Sequence, residues 1–292
     1  MFNEIYIHNF FTKYKIGKNI MLKTSNSLPI YTIHNNATVR RNQTLKTYNI
    51  KSDQNSLLSR NGFTIQLVNS QKCCIKTNTL IKHMYASRGY LTKGSTVYPY
   101  NNPYQITFSA FSEENTIGTI TLKIDSGSGL LADELYGQEL AGFREKNRKI
   151  CELSKFAVVP EYGSKELFAT LFHFAYIYAY NIHNVEDAFI EINPRHASFY
   201  RRMLGFDQIG ELRTCKRVDA PASLLHLNLD YMSKQISLFA GSRNTDSRSI
   251  YPYFLTQFEE MALTKKMRQA LYHRAIHDIP AIPHSYEKMP VQ

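Results

Sequence analysis

Tryptophan is absent from this sequence, cysteine occurs only four times in 292 residues, and no stretch is apolar for long. A membrane-spanning helix needs about 18 or more consecutive apolar residues, so none is expected. Cys73 and Cys74 are adjacent and the other two cysteines are distant. That pattern matches neither a metal-ligand spacing nor a disulfide framework, so a reduced, cytoplasmic setting is expected and no metal is called for. The opening MFNEIYIHNFF has no basic region ahead of an apolar core, which argues against a secretory signal. No internal repeat, no nucleic-acid fold signature and no dense Lys/Arg run occurs, so nucleic acid is not an expected partner.

What the chain does have is aromatic bulk and uneven charge. Twenty Tyr and 17 Phe suit a wide apolar pocket or, more commonly, an aromatic core. Acidic residues are scarce in residues 1–60, where nine Lys/Arg face two Asp/Glu, whereas residues 151–230 hold eight against ten. The surplus of the +11 chain therefore lies mainly near its N-terminus, where it would attract an acidic partner such as anionic lipid or an acidic protein.

Three regions follow. Residues 1–60 read as a basic N-terminal arm; the apolar–polar interleaving of its first 22 residues suits a strand pair, a packed arm or contact with a membrane surface. Residues 61–230 read as one mixed α/β domain. In it Gly62–Val68 is the first strand, Ser70–Tyr85 a helix, and Gln105–Phe111 with Thr116–Ile124 a hairpin. Arg88-Gly89 marks a turn and Tyr98–Pro103 a loop. Leu131–Arg144 has helical spacing, and Gln208–Thr214 and Ser223–Leu229 are closing strands split by Asp219–Ala222. Residues 231–292 read as a linker, Lys234–Ser249, then a helix over Tyr253–Ile276 and a tail.

The centre is Cys151–Phe206. Leu153–Val159 is an apolar strand bounded by Pro160 and Gly163, and Ser164 caps a helix with Leu167, Phe168, Leu171, Phe172 and Ala175 on one face. Val185–Ile192 is a second strand, broken by Asn193-Pro194, and His196–Leu204 is a short helix closed by Gly205. Strand, crossover helix and strand should form a right-handed parallel unit.

This order, with Glu152-Leu-Ser-Lys-Phe-Ala-Val, Asn193-Pro-Arg-His and Phe199-Tyr-Arg-Arg-Met-Leu-Gly-Phe206, resembles the GNAT superfamily of acyltransferases. Within it the chain looks most like the N-acyl amino acid synthases and, more distantly, the acyl-homoserine-lactone synthases; Gly129–Asp133, Glu139 and Arg144 also fit. The resemblance implies a GNAT-like fold with N- and C-terminal extensions, and direct attack of an amine on a thioester in a bacterial enzyme. The donor would lie along the backbone of Phe156, Ala157, Val158 and Val159, beside a splayed strand Ala188–Ile192, with Ser164 and Lys165 at its phosphate. Glu152 becomes the candidate base, with Glu191 as rival, and Tyr200 the candidate acid; each has a plainer alternative as an ion-paired carboxylate or a core tyrosine, a place Phe199 shares. Arg195, with His196 beside it, suits a carrier phosphate or an acceptor carboxylate, and Asp133 and Glu134 an acceptor ammonium.

Where acetyl-CoA users place glycines to cradle a diphosphate, this chain has Gly163-Ser-Lys-Glu-Leu-Phe168. Glu166 would repel that group and Phe168 crowd it. An acyl carrier protein, presenting its chain on phosphopantetheine, is therefore the expected donor partner ahead of coenzyme A, with no tightly bound cofactor. Lys155 stands where the lactone synthases have Arg, which favours an amino acid acceptor. The expected product is an N-acyl amino acid carrying a medium or long chain. A lactone-type synthase and a catalytically silent binding module are the alternatives. His83, His173 and His183 have no ligand spacing and are expected to be structural or on the surface.

Overall fold

The computed structural model describes residues 56–87, 89, 102, 104–242 and 247–277. The arm up to residue 55, most of the turn and loop expected over 88–103, and the tail from 278 lie outside them. The described chain forms strands β1 (Ser56–Arg60) and β2 (Phe63–Leu67), helix α1 (Gln71–Ala86), strands β3 (Gln105–Ser112) and β4 (Asn115–Ile124), helix α2 (Asp133–Arg144) and strand β5 (Ile150–Val158). There follow α3 (Lys165–Tyr176), prolonged by a π turn over Ile177–Ile182, then β6 (Asp187–Ile192) and α4 (Ala197–Leu204). Short strands β7 (Asp207–Gln208) and β8 (Arg213–Cys215), β9 (Ala220–Asn228), α5 (Leu229–Phe239) and α6 (Gln257–His277) complete it.

The nine strands form a sheet in the order β1-β2-β3-β4-β5-β6-β9-β7, with β8 beside β9. Among the described strands only β5 and β6 pair in parallel, as a crossover through α3 requires. One face carries α3, α5 and α6 over a core rich in phenylalanine; Phe156 meets Phe168 and Phe172 at ring distances of 5.2 and 4.8 Å. The other face carries α1 and α2: Thr77 of α1 hydrogen-bonds Ser109 of β3 at 2.7 Å, and Tyr136 and Leu140 of α2 pack near Phe189. Covered on both sides, every residue of β5 is buried.

Local signals set most helix ends. Ser70 and Ser164 accept hydrogen bonds from the N–H groups of Cys73 and Leu167. Gly205 closes α4 at φ 85°, and a Cβ there would lie 2.5 Å from the Tyr231 ring. Gly205→Ala is thus expected to lower the unfolding free energy by about 1–2 kcal/mol for the left-handed backbone alone, with the clash added, as urea titration would measure.

Three expectations need correction. The sheet begins earlier than the 62–68 alternation suggests, because Ser56–Arg60 pairs antiparallel with β2. Lys234–Phe239 is not linker but the second half of α5, whose Leu229, Met232 and Ile236 are buried at helical spacing and whose Asn228 cap accepts the Tyr231 N–H at 2.9 Å. Ala220–Ala222 belongs to β9, with Pro221 exposed opposite Thr214 of the short β8, where an edge tolerates it.

The remainder of the C-terminal region is part of the same core. Ile250, Tyr251, Phe254, Leu255, Leu263 and Met267 join the cluster under the sheet. His173 of α3 is fully buried between them: its Nδ1 accepts the Leu255 N–H at 3.0 Å, which leaves Nε2 to donate to Glu260 at 2.9 Å. Burial lowers its pKa against the pull of Glu260, so this histidine is a structural bolt. No described helix is long and apolar enough to cross a membrane, and no disulfide joins the four cysteines.

Candidate active site

The parallel strands part company almost at once. They pair at Ile150–Asp187, Cys151–Ala188 and Glu152–Phe189, after which β5 stays with β4 and β6 with β9. The wedge between them is the splay expected from the resemblance, but it opens only after the third residue of β6, so Ala188 and Phe189 are still paired. At the same level β5 carries a bulge: the register with β4 moves from Thr121–Ser154 to Thr119–Ala157, and Lys155 takes φ 51°. A bulge bends its strand and re-aims the residues beyond it. Past Glu152, β5 and β6 share no further strand pairing among the described residues, and the wedge opens between them.

Glu152 sits where the strands divide, 2 % exposed, on the α2 face of the sheet. Its Oε2 accepts the Leu131 and Ala132 N–H groups at 2.6 and 3.3 Å. Burial raises its pKa, the nearby charge of Glu191 adds to the rise, and the two amides oppose it. Glu191, on the same face of β6, has both oxygens 2.8 Å from Nη2 of Arg217. The Arg217 guanidinium also bonds the Leu131 carbonyl at 2.9 Å and the Glu134 carboxylate. Two carboxylates flanking the wedge thus hold the N-terminal end of α2 over it, one directly and one through Arg217. Arg217 was not foreseen: it lies in the turn between β8 and β9, and no motif marks it.

The other predicted residues fall into two groups. Asp133 and Glu134 are already committed. Asp133 accepts from the Leu130 N–H at 2.6 Å and from Arg144 at 2.7 and 2.8 Å, and Glu134 pairs with Arg217. Burial pulls the Asp133 pKa upward, but Arg144 and the Leu130 amide outweigh it and hold the carboxyl below its ordinary value. Arg144 also clasps Asp125 at 2.7 Å, and Glu139 binds Arg213 at 2.6 Å, so both resemblance residues fasten α2 to the sheet. Arg195 is exposed at the exit of β6, its Nε 3.1 Å from His196 Nε2.

On the donor side, Phe156 turns into the core, Ala157 toward α1, and the Val159 N–H bonds the Ile117 carbonyl at 2.8 Å. Ser164 is occupied as the cap of α3, while Lys165 donates to the Ser247 carbonyl at 2.9 Å and lies 5.5 Å from the Tyr253 ring centre. The repulsion and crowding expected at this turn are weaker than the sequence suggests. Glu166 is paired with Arg60 at 2.7 Å, and Phe168 points inward against Phe156 and Phe199. Tyr200 is fully buried among Phe172, Phe199 and Phe206, on the α3 face. Glu152 and Tyr200 therefore lie on opposite faces of the sheet. Lys155 is buried to 1 % exposure at the bulge, and burial drives its ammonium well below the usual lysine pKa despite the attraction of Glu152. Below the wedge on the α3 side lies a small apolar cavity of about 10 Å³, lined among others by Cys151, Leu153, Phe172, Ala188 and Met232.

This arrangement can admit a thioester between two strands, with backbone donors on one side and a basic carboxylate beneath. Comparison with known proteins bears on the fold and the family. The family model described as "N-acyl amino acid synthase FeeM" matches residues 76–228, more than half of the chain. The solved structure of FeeM, an N-acyl amino acid synthase from uncultured soil microbes, is 29 % identical, with a TM-score of 0.55 over 59 % of this chain and 94 % of that one. A probable acetyltransferase from Staphylococcus epidermidis ATCC 12228 aligns over 57 % of this chain and 98 % of its own at 18 % identity and a TM-score of 0.41. The AHL synthase LasI aligns over 57 % and 90 % at 14 % identity and 0.44. No curated protein matches the sequence. With the wedge, the bulge and a family match that runs from α1 to the end of β9, the chain belongs to the N-acyl amino acid synthase FeeM family and is an N-acyltransferase of GNAT fold.

Proposed function

We propose that this enzyme moves a medium or long fatty acyl chain from acyl carrier protein to the α-amine of an amino acid, in the cytoplasm of a bacterial cell. The observation that carries it is the wedge: β5 leaves β6 directly after Glu152, and the bulge at Lys155 follows within three residues. The pantetheine arm would enter there, with the thioester carbonyl accepting from N–H groups of the Phe156–Val158 backbone, the Val159 N–H being taken by Ile117. The acceptor amine would attack the carbonyl carbon, forming the C–N bond as the C–S bond breaks. Glu152, made more basic by burial, would take the proton lost by the amine, and Tyr200 would return one to the thiolate.

The acyl chain would run toward the apolar cavity on the α3 side. At about 10 Å³ that cavity matches a single water. A fatty chain therefore has to displace flexible linings such as Met232 and Leu153. What supports a carrier protein over coenzyme A is a turn without glycines between 164 and 168, where Lys165 is the cation nearest the start of α3 and Glu166 occupies Arg60, suited to one phosphodiester rather than a diphosphate. For the acceptor, Arg195 is the residue placed to meet a carboxylate. Asp133 and Glu134, tied to Arg144 and Arg217, serve by holding α2 in place.

The test is mass spectrometry of lipid extracts from bacteria expressing the protein. New N-acyl amino acids that fall in a Tyr200→Phe variant are the expected outcome and would name both chain and acceptor. An extract without them, from cells containing the folded protein, would sink the proposal.

A further inference from the structure

The chain after β9 lies outside the residues matched by the family model, yet it holds the helix that carries Tyr200. Helix α4 has eight residues, too few to be stable alone, and the carbonyls of its last turn have no donor within the helix. Two of them are taken by the C-terminal segment. The Tyr251 hydroxyl donates to the Leu204 carbonyl at 2.6 Å, and the Ile250 N–H to the Met203 carbonyl at 3.1 Å. Tyr251 is itself fixed: it is 2 % exposed, and its N–H bonds Ser249 Oγ at 3.0 Å.

From there the contacts continue to the rest of the fold. The Tyr251 ring lies 5.1 Å from Phe254, Phe254 stacks on His173 at 4.8 Å, and His173 holds the Leu255 N–H and Glu260 of α6. On its other side α4 ends against the Tyr231 ring of α5 through Gly205. The position of α4 is thus set by elements that follow β9 in the chain.

We propose that Tyr251 is a positioning residue for acyl transfer: by capping α4 it fixes the Tyr200 phenol where the leaving thiolate departs, and so gives the C-terminal segment a direct part in the reaction. This rests on the reaction proposed above. Displacement of a reacting group by about 1 Å costs up to about 100-fold in rate, so the loss of one cap should be visible in kcat.

The experiment is steady-state kinetics of the full chain, with the carrier-protein thioester and amino acid that the extracts identify, on wild type, Tyr251→Phe, Tyr200→Phe and the double variant. Tyr251→Phe is expected to lower kcat about tenfold, within the positioning range above, with both KM values unchanged. In the Tyr200→Phe background it should cost nothing more, because the residue it positions is gone. A general loosening of the fold would instead multiply the two losses, and that result overturns the inference. So does an unchanged kcat in either single variant. If Tyr251→Phe does not fold, Ser249→Ala, which removes only the acceptor of the Tyr251 N–H, takes its place in the same cycle. A wild type that makes no N-acyl product overturns the proposed reaction and this inference together; an active wild type with multiplying losses overturns this inference alone.

Discussion

Glu152→Gln is expected to lower kcat/KM by about 10²–10³-fold while making the protein more stable at neutral pH. The rate falls because an amide cannot take the proton that the amine loses. Stability rises because the carboxylate is held in a dry site, 2 % exposed, beside the Glu191 charge. Below its ordinary pKa of 4.5 Glu152 is protonated both folded and unfolded, and it carries no ionic penalty. As pH rises from there through the raised folded value, the unfolded chain ionises freely while the native state resists, so native stability is progressively lost. Glutamine has no such titration, and its side-chain oxygen can still accept the Leu131 and Ala132 N–H groups. Thermal melts of both proteins from acid to mildly alkaline pH would isolate this one group in their difference. The curves should lie together at acid pH and separate above it by roughly 2–4 °C for each kcal/mol. A glutamine variant that is less stable at every pH would mean that the carboxylate is chiefly an anchor for α2, and its role as base would lose its support.

Arg217→Met should have the largest effect on stability, about 3 kcal/mol or more by urea titration. The cost lies less in the lost attraction than in what remains. Glu191 has a side chain 1 % exposed and both oxygens on Arg217, so removing the guanidinium leaves a buried carboxylate uncompensated. The Leu131 carbonyl and Glu134 lose a partner as well, which frees the N-terminal end of α2. Pairing the change with Glu191→Met should recover most of the loss, because two apolar side chains replace two charges in the same space. A double variant no more stable than Arg217→Met alone would show that Glu191 needs no counter-charge, and the ion pair could not be what holds α2 over the wedge.

Much of the scaffold was legible because its causes are local. The apolar strand at β5, the cap at Ser164, the stripe on α3, the break at Asn193-Pro194 and Gly205 at φ 85° follow from residues a few positions apart. Errors came where a signal was short or shared. Ser56–Arg60 is too brief to alternate, and the opening of α5 reads equally well as the end of a strand, since Leu227, Leu229, Met232 and Ile236 are buried across that boundary.

The sequence by itself determined the strand–helix–strand–helix unit, the residue types at its wedge and the kind of chemistry they support, because hydrophobic period, caps and chain breakers act over one or two turns. Which side chains meet was decided only by the tertiary structure. Glu152 finds amides 20 and 21 residues back, Arg217 reaches Glu191 across 26, and Lys165 and Leu204 find partners 82 and 47 residues on. Such partners are chosen by strand register and by which face of a helix is buried. A change of one residue in register turns a strand's side chains to the opposite face of the sheet, so the pairings around the wedge exist only once the whole sheet is assembled.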